Sequence, residues 1–350
     1  MTVRAALLTE IGAPLTVVDL DLPGPGPGQV RVAIAATGIC HSDLSLARGT
    51  LRQAVPAVLG HESAGVVTEV GVGVTTVEPG DRVVLIWAPP CRDCWHCGIG
   101  EPWLCERSSD AAGAPYARWN GQDVFPGLST GGFATETVVA ASALLPVPDE
   151  VPLEQAALVG CAVTTGVGAT SQVRPGESVL VVGLGGVGLS AVLGARLAKA
   201  GRVIVVDRSA DKLALALTLG ATDAADLSDV RGLTGRGVDH AFDCVGSAET
   251  IRACWSATRR GGTTTVVGIG GKEQQVSFSA LELFHFSRTL RGCVYGGADP
   301  AVLMPQLLDL ATRGELDLGA LITGTTDLDG IEAAFDQMTA GVGVRTVLLP

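Results

Sequence analysis

The sequence predicts an α/β protein with two domains, one built on a doubly wound parallel sheet and the other rich in β-strands. The chain has 350 residues, and a single hydrophobic core rarely grows that large. From Ser178 onward, patterns of buried strands alternate with helical patterns, as they do in parallel sheets covered by helices. Residues 1–35 instead alternate short apolar runs with turns, which is typical of antiparallel strands.

The first domain begins with strand and turn patterns. Leu15–Leu20 and Gln29–Ala35 are apolar runs, and the repeated Pro-Gly at 23–28 between them predicts a rigid turn rather than a flexible linker. Ser108–Gly131 is polar and rich in glycine, which predicts an irregular loop near the pocket or a subunit contact. Strand-like patterning returns over Phe133–Leu145.

The second domain opens with a strand, a helix and a strand. A helix predicted over Val151–Val159 leads into it, and Ser178–Val182 is a β-branched run typical of a strand buried on both faces. Leu189–Lys199 has a helical pattern, and Arg202–Val206 has that of a second buried strand. The alternative is a membrane helix, because residues 178–195 carry no charge. The glycines within that span and the basic residues directly after it argue against a membrane helix.

A glycine motif joins the first of these strands to the helix. Gly183, Gly185 and Gly188 form G-x-G-x-x-G, in which the glycines allow a tight turn, close approach of a pyrophosphate, and packing of helix on strand. The amino end of the helix then favours phosphate charge. Asp207 lies about 20 residues further on, where a carboxylate can accept from both ribose hydroxyls of NAD and repel a 2′-phosphate. The span therefore predicts NAD binding, with NADP less favoured.

Further elements follow in alternation and then return the chain to the first domain. The second domain continues with a helix and three strands, at Ala210–Leu219, Val238–Asp243, Thr263–Val267 and Leu290–Tyr295. The return uses the apolar patterns at Pro305–Thr312, Leu328–Thr339 and Val344–Leu349. The predicted domains are residues 1–160 with 296–350, and residues 161–295.

Composition excludes several classes of partner. The net charge is −12, from 24 basic and 36 acidic residues. That balance disfavours nucleic acid and anionic membranes, which both require a positive face. The first 20 residues lack the basic start and the small-residue cleavage site of a signal peptide. We therefore expect a soluble cytoplasmic protein that acts on a small molecule.

Four of the nine cysteines crowd into one short segment, which predicts a metal site rather than disulfides. Cys91, Cys94 and Cys97 form two successive C-x-x-C steps, and Cys105 follows eight residues later. Four thiolates close the coordination sphere of zinc, so such a site is structural. The alternative is a set of free buried thiols. His96 lies inside the loop but is excluded, because four sulfurs already satisfy the ion.

A second set of side chains that could bind a metal ion occurs earlier in the chain. Cys40 and His61 lie about twenty residues apart, and zinc accepts sulfur and nitrogen ligands tetrahedrally. Taken alone, Cys40 is equally explained as a buried apolar residue and His61 as a hydrogen-bonded polar one.

These residues carry a family resemblance. From Arg4 to Pro350 the sequence resembles the zinc-containing medium-chain alcohol dehydrogenases. Gly60–Val74 is similar to the zinc signature of that family, Cys91–Cys105 to its structural zinc lobe, and Gly160–Gly166 to the segment that holds its third zinc ligand. The resemblance implies a GroES-like catalytic domain beside a Rossmann domain, two Zn²⁺ per chain, NAD, and a homodimer or homotetramer.

The resemblance also implies roles for single residues around a catalytic zinc. The implied ligands are Cys40, His61 and Cys161. Ser42 would contact the substrate oxygen and pass its proton outward, and Asp43 would accept a hydrogen bond from the His61 ring. Glu62 would lie just behind the zinc; the alternative reading makes it the salt-bridge partner of an arginine. The implied pocket residues are Trp87 and Leu51, and the implied cofactor contacts are His41, Thr165, Gly183, Gly185, Gly186, Val187, Gly188, Asp207, Lys212, Val267 and Arg345.

Within that set, the resemblance implies which part of the cofactor each residue would contact. Thr165 and Val187 would contact the nicotinamide ring, and Lys212 the adenosine ribose. His41 and Arg345 would contact the pyrophosphate. Without the resemblance, Lys212 and Arg345 read as solvated charges.

The sequence also departs from the family pattern. Many members end a proton relay with a histidine five residues after the first zinc cysteine, where this chain has Ser45, so water is expected to carry the last step. The glutathione-dependent branch has acidic residues where this chain has Leu51, Arg52 and Gln53. A bulky indole at Trp87 should narrow the space beside the zinc.

The predicted activity is reversible hydride transfer between NAD and a primary or secondary alcohol, aromatic alcohols included. One alternative is a thiol-cofactor-dependent dehydrogenase of formaldehyde or other aldehydes on the same scaffold. The other is a non-redox dinucleotide-binding protein, which would be expected to lose Cys40, His61 or Cys161.

Overall fold

A computed structural model describes residues 2–350 of the chain. Two compact units divide it: the first comprises Met1–Ala162 and Ala298–Pro350, and the second comprises Val163–Gly297. Within residues 2–350, no helix has the length and apolar character needed to span a bilayer.

The amino-terminal part of the first unit is rich in strands. The strands are β1 (Thr2–Leu8), β2 (Thr16–Asp21), β3 (Gln29–Gly38), β4 (Ala57–Val58), β5 (Glu62–Val70), β6 (Arg82–Leu85), β7 (Ala117–Trp119), β8 (Gln122–Pro126), β9 (Glu136–Ala140) and β10 (Leu144–Pro146). The helices are α1 (His41–Ala47), α2 (Trp95–Gly98) and α3 (Leu153–Leu158), and a π-helical turn, Val159–Val163, follows α3.

The second unit alternates strands and helices. Its helices are α4 (Thr164–Ala169), α5 (Gly186–Leu197), α6 (Ala210–Leu219), α7 (Val230–Thr234), α8 (Ala248–Ala257) and α9 (Ala280–Phe286). Its strands are β11 (Ser178–Val182), β12 (Arg202–Val206), β13 (Asp223–Ala224), β14 (Val238–Asp243), β15 (Thr258–Val266) and β16 (Thr289–Gly292). The chain then returns to the first unit through α10 (Pro300–Thr312), β17 (Ile322–Thr326), α11 (Ile331–Thr339) and β18 (Arg345–Leu348).

The six strands of the second unit form one parallel sheet. Their order is β13-β12-β11-β14-β15-β16, with every neighbouring pair parallel. That order is the Rossmann order 3-2-1-4-5-6, in which successive strands are added on one side of the first strand and then, from the fourth strand on, on its other side. The predicted doubly wound sheet is confirmed.

The first unit contains two sheets. One closes into a small barrel in the order β1-β2-β7-β8-β4, and the other has the order β10-β6-β5-β3-β18-β17, with β9 also paired to β3. Leu7, Leu59 and Phe133 are fully buried in the barrel core. The β-rich character expected of this domain is therefore present, and β18 adds the end of the chain to its larger sheet.

One local prediction is wrong. Ser108–Gly131, expected to be an irregular loop, contains the antiparallel pair β7 and β8. Asn120 and Gly121 join the two strands with φ values of 50° and 79°. An Asn-Gly pair with positive φ at both residues is the usual two-residue hairpin turn, because its twist matches that of the strands. The turn signal was in the sequence, but the polar composition around it obscured the strands.

Candidate active site

Cys40 lies at the junction between β3 and α1. It is the N-cap of α1, and its backbone N–H donates to Asp43 Oδ2 at 3.1 Å. Helix N-termini leave backbone donors that a nearby acceptor must satisfy. The cap therefore holds the Cys40 thiol at the start of the helix, and Cys40 is buried.

Asp43 also fixes the orientation of His61. The Nδ1–H of His61 donates to Asp43 Oδ1 at 2.9 Å, and the Gly60 N–H donates to the same oxygen at 3.0 Å. Both side chains are fully buried. With Nδ1 in this bond, Nε2 carries the free lone pair, and within residues 2–350 this buried atom has no hydrogen-bond partner. An unsatisfied buried nitrogen of this kind is suited to a metal ion.

Cys161 completes a three-residue cluster. It lies in the π-helical turn after α3, a type of distortion that occurs frequently at functional sites. The ligand atoms of Cys40, His61 and Cys161 all lie within 4.8 Å of one another, and all three residues are buried. Two sulfurs and one imidazole nitrogen are a donor set that zinc accepts, with one position left for another ligand. The residues present therefore fit a catalytic zinc.

The two thiols of the cluster influence each other. Contact with Cys161 lowers the pKa of the Cys40 thiol, whereas the same contact together with burial raises the pKa of Cys161. Two neighbouring thiolates repel each other unless a cation lies between them. The arrangement is therefore consistent with a site that ionises fully only when a metal is bound.

A buried ion pair lies behind the cluster. Glu62 Oε2 lies 3.1 Å from Arg345 Nε, and the two side chains are 0% and 4% exposed. Glu62 Oε1 accepts from the Ala162 N–H at 2.8 Å, and Arg345 Nη1 donates to the Ile39 carbonyl at 2.7 Å. Burial raises the pKa of Glu62 to about 7. The alternative reading of Glu62, a salt-bridge partner of an arginine, matches this geometry.

Sequence analysis did not identify which arginine pairs with Glu62. Sequence analysis assigned Arg345 to the cofactor pyrophosphate, a role that stays a prediction, while the structure gives its guanidinium two partners in the first unit. Glu62 begins β5 and Arg345 begins β18, strands from opposite ends of the chain that both pair with β3. No local pattern in the sequence indicates that contact.

Two of the other residues predicted for the site, Ser42 and Trp87, contact members of the cluster. Ser42 Oγ is 3.8 Å from Cys40 Sγ, and the Trp87 indole meets the His61 ring edge-on with 6.3 Å between centroids. Leu51 lines a cavity of about 610 Å³ together with Arg52 and Gln53. His41 is exposed at the first position of α1.

The four-cysteine lobe forms a second cluster. The sulfurs of Cys91, Cys94, Cys97 and Cys105 all lie within 4.8 Å of one another, with 4.0 Å between Cys91 and Cys97 and 3.9 Å between Cys94 and Cys105. Four sulfurs bound tetrahedrally to zinc are about 3.8 Å apart, given Zn–S bonds of about 2.3 Å. All nine cysteines are free thiols. The His96 Nδ1 pairs with Glu101 Oε2 at 3.0 Å, outside the four-sulfur set.

The glycine motif of the second unit forms the turn between β11 and α5. Gly183 has φ of +89°, and a Cβ on Gly188 would overlap the Gly183 carbonyl oxygen. A Cβ on Gly185, the N-cap of α5, would meet no heavy atom within 4 Å in the described residues. The helix starts at Gly186, three residues before the predicted start, so the motif includes its first turn. Two glycines thus shape the turn, and the third leaves open space.

The other predicted cofactor residues of the second unit occupy the same end of the sheet. Asp207 follows β12, and its carboxylate accepts from the N–H groups of Leu184 and Ser209 at 2.6 and 2.9 Å. Val267 follows β15, and Lys212 lies in the first turn of α6. Ligands of doubly wound sheets bind outside the carboxyl ends of the strands. Thr165, in α4, is 9% exposed, and a Cβ on the adjacent Gly166 would overlap the Val187 carbonyl oxygen.

Known proteins match this chain along its length. Family models match as "Alcohol dehydrogenase GroES-like domain" over residues 26–149 and "Zinc-binding dehydrogenase" over residues 186–313. The S-(hydroxymethyl)glutathione dehydrogenase of Synechocystis sp. is 38% identical over 99% of this chain and 100% of its own.

Solved structures share the whole fold. An alcohol dehydrogenase zinc-binding domain protein from Burkholderia ambifaria is 33% identical with a TM-score of 0.94, and it covers 100% of this chain and 99% of its own. Benzyl alcohol dehydrogenase from Acinetobacter calcoaceticus is 29% identical with a TM-score of 0.92 over the same shares. The expected GroES-like and Rossmann domains are confirmed. The chain belongs to the zinc-containing medium-chain alcohol dehydrogenases and is a zinc-dependent, NAD(P)-linked oxidoreductase of that family.

Proposed function

We propose that this enzyme interconverts small primary or secondary alcohols, aromatic alcohols included, with their aldehydes or ketones, using NAD and no thiol cofactor. The observation that carries the proposal is the convergence of Cys40, His61 and Cys161 within 4.8 Å. When bound, zinc supplies Lewis acidity that lowers the pKa of an alcohol oxygen, and NAD supplies the hydride acceptor.

The protein would hold the metal through two sulfurs and one nitrogen. Cys40 and Cys161 contribute their sulfurs and His61 its Nε2, which leaves one position open to substrate. Asp43 keeps the His61 ring in the tautomer whose Nε2 is unprotonated. Glu62 and Arg345 add one negative and one positive charge behind the cluster. The two thiolates balance a divalent cation, and Arg345 balances Glu62, which limits the cost of desolvating these charges. The remaining buried carboxylate, that of Asp43, accepts from the His61 ring and the Gly60 N–H.

Ser42 is the first proton acceptor in this proposal. Its hydroxyl lies 3.8 Å from Cys40 Sγ, so it can reach an oxygen bound next to that sulfur. Ser45 lies one helical turn further along α1, on the same face. A serine hydroxyl does not titrate near neutral pH as histidine does. Water would therefore complete the relay.

Two features of the first unit favour a free alcohol over a glutathione adduct. The cavity lined by Leu51 includes Arg52 and contains no carboxylate among its lining residues. The amino group of a glutathione adduct would therefore find no anionic partner there. In addition, the Trp87 indole contacts the His61 ring and occupies space beside the cluster.

A substrate screen tests the proposal. Purified enzyme with NAD should oxidise benzyl alcohol or simple aliphatic alcohols without added thiol. The same assay with formaldehyde, with and without glutathione, distinguishes the alternative activity. Turnover confined to formaldehyde plus glutathione would contradict the proposal.

Asp207 is proposed to select NAD. It directly follows β12, the position from which an acidic residue of a dinucleotide-binding motif accepts from the ribose hydroxyls of NAD, and it would repel the 2′-phosphate of NADP. We expect Asp207→Gly to raise the ratio of kcat/KM for NADP to that for NAD about tenfold or more, as the loss of about 1.4 kcal/mol of repulsion does. Asp211→Asn, in the first turn of α6, is the matched control and should leave the ratio unchanged. An unchanged ratio in Asp207→Gly would reject the role.

We also propose that the enzyme is a homodimer joined through its second unit. Strand β16 ends the parallel sheet and, in the described residues, pairs only with β15. Beside it, Leu281 and Phe284 of α9 are 73% and 83% exposed. An unpaired strand edge and exposed apolar side chains favour association with a second copy. Light scattering should show a dimer, and Phe284→Asp should weaken it. The control is Val72→Asp, because Val72 is as exposed as Phe284 but lies in the first unit; this variant should remain dimeric. A monomeric wild type would overturn the proposal.

A further inference from the structure

The second unit contains a cavity of about 520 Å³ with an unusual lining. Five of its lining residues are arginines: Arg231, Arg236, Arg259, Arg260 and Arg288. The chain as a whole carries a net charge of −12. A fifth of its 24 basic residues therefore line one cavity in an otherwise acidic protein.

This cavity lies at the edge of the sheet opposite the glycine motif. Arg259 and Arg260 follow the first residue of β15, Arg288 directly precedes β16, and Arg236 lies two residues before β14. The glycine motif and Asp207 follow the carboxyl ends of their strands. A strand of six residues spans about 20 Å. A dinucleotide bound at the glycine motif is therefore a separate ligand from any molecule in this cavity.

Neutral groups hold most of these arginines in place. Arg288 Nε and Arg259 Nη1 donate to the carbonyls of Arg259 and Arg260, and Arg231 Nε donates to the Ser256 carbonyl. Arg260 contacts the His285 ring nitrogen. Arg288 and Arg260 also lie over the Phe286 ring, at 4.3 and 5.6 Å from its centroid. Such contacts orient guanidinium groups without cancelling their charge.

Carboxylates neutralise only one of the five. Asp239 Oδ1 accepts from Arg259 Nε at 2.6 Å. Glu282, the acidic residue whose charge acts on Arg288, is held by Arg252 at 2.7 and 2.8 Å. In residues 2–350, the other four arginines form no ion pair with a carboxylate within 4.0 Å. Burial lowers the pKa of Arg288, and the charge of Arg231 lowers it further.

We propose that this cavity binds a polyphosphate chain, as an inorganic polyphosphate or as the phosphate tail of a nucleotide. Guanidinium groups pair bidentately with phosphate oxygens, and several of them require several anionic groups in one ligand. A volume of this size holds one small molecule. A single carboxylate offers too little charge, and the acidic surface of the chain disfavours nucleic acid.

Calorimetry with sodium tripolyphosphate tests the proposal on the zinc-loaded enzyme saturated with NAD. We expect one site per chain whose affinity falls as NaCl is raised, because salt screens ionic contacts. Arg236→Gln and Arg260→Gln should each weaken binding about tenfold or more, since each removes a charge-assisted contact. The control Arg118→Gln, an exposed arginine of the first unit, should bind as the wild type does.

A second titration, with ATP, distinguishes an inorganic polyphosphate from a nucleotide as the ligand. Tighter binding of ATP than of tripolyphosphate would identify a nucleotide, and equal or weaker binding would identify the phosphate chain itself; either supports the site. Alcohol dehydrogenase activity and the melting temperature should be unchanged in both arginine variants, which shows that they fold. No binding of tripolyphosphate, or equal binding by wild type and both variants, would overturn the proposal.

Discussion

Cys40→Ser should lower turnover about a thousandfold or more, because a bound zinc shifts the pKa of a coordinated oxygen by several units, each worth about 1.4 kcal/mol. Serine retains the shape of cysteine but supplies no thiolate for the metal. Cys40 is the buried N-cap of α1, and the substitution leaves the glycine motif of the second unit untouched. NAD binding should therefore persist.

Three measurements on this variant separate the effects. Steady-state kinetics gives turnover, calorimetry gives the affinity for NAD, and metal analysis should show zinc falling from two ions per chain to one. Cys293→Ala is the matched control, because it removes a buried cysteine that lies in neither metal cluster. If Cys40→Ser kept more than about a tenth of the wild-type turnover, a loss of under 1.4 kcal/mol, the catalytic assignment would be wrong.

Arg345→Met should destabilise the protein by about 3–5 kcal/mol, the usual cost of removing one partner from a buried ion pair. Glu62 is fully buried and would be left without its cation. Burial already raises its pKa to about 7 with Arg345 present. At about 2–4 °C per kcal/mol for domains of this size, the melting temperature should fall roughly 10 °C.

A double variant shows whether the loss comes from the unpaired carboxylate. Glu62→Gln/Arg345→Met removes both charges and should recover part of the melting temperature lost in Arg345→Met. Arg4→Met is the control, since Arg4 pairs with Asp329 where both side chains are more than half exposed, and surface pairs contribute little. Equal melting temperatures for Arg345→Met and the wild type would show that the pair carries no stability.

Local patterns were enough to predict most of the second unit. The strands β11, β12 and β14 and the helix α6 have the predicted bounds, because buried β-branched runs and helical periodicity are properties of adjacent residues. The start of α5 was missed by three residues, since glycines are poor helix formers and here belong to its first turn. The error at β7 and β8 has a similar cause: a polar, glycine-rich composition suggested a loop, although the Asn-Gly pair between the strands favours a hairpin turn.

Some features of the candidate site could be predicted from adjacent residues, and others form only in the folded chain. The four-cysteine lobe and the glycine motif are contiguous, so their spacing alone predicts them. Cys40, His61 and Cys161 come together only in the folded chain, and only the family resemblance indicated that they form one site. The Glu62–Arg345 pair depends on the register of two strands on β3. The arginine cavity combines residues of α7 and β15 with residues that lie just before β14 and β16, so no single segment predicts it.

Crystals of the protein as purified, measured at the zinc absorption edge, test the main conclusion most directly. We expect two anomalous peaks per chain, one in the four-cysteine lobe and one at about 2.0–2.3 Å from Cys40 Sγ, His61 Nε2 and Cys161 Sγ together. A peak in the lobe with none among those three side chains would contradict a catalytic zinc held by Cys40, His61 and Cys161.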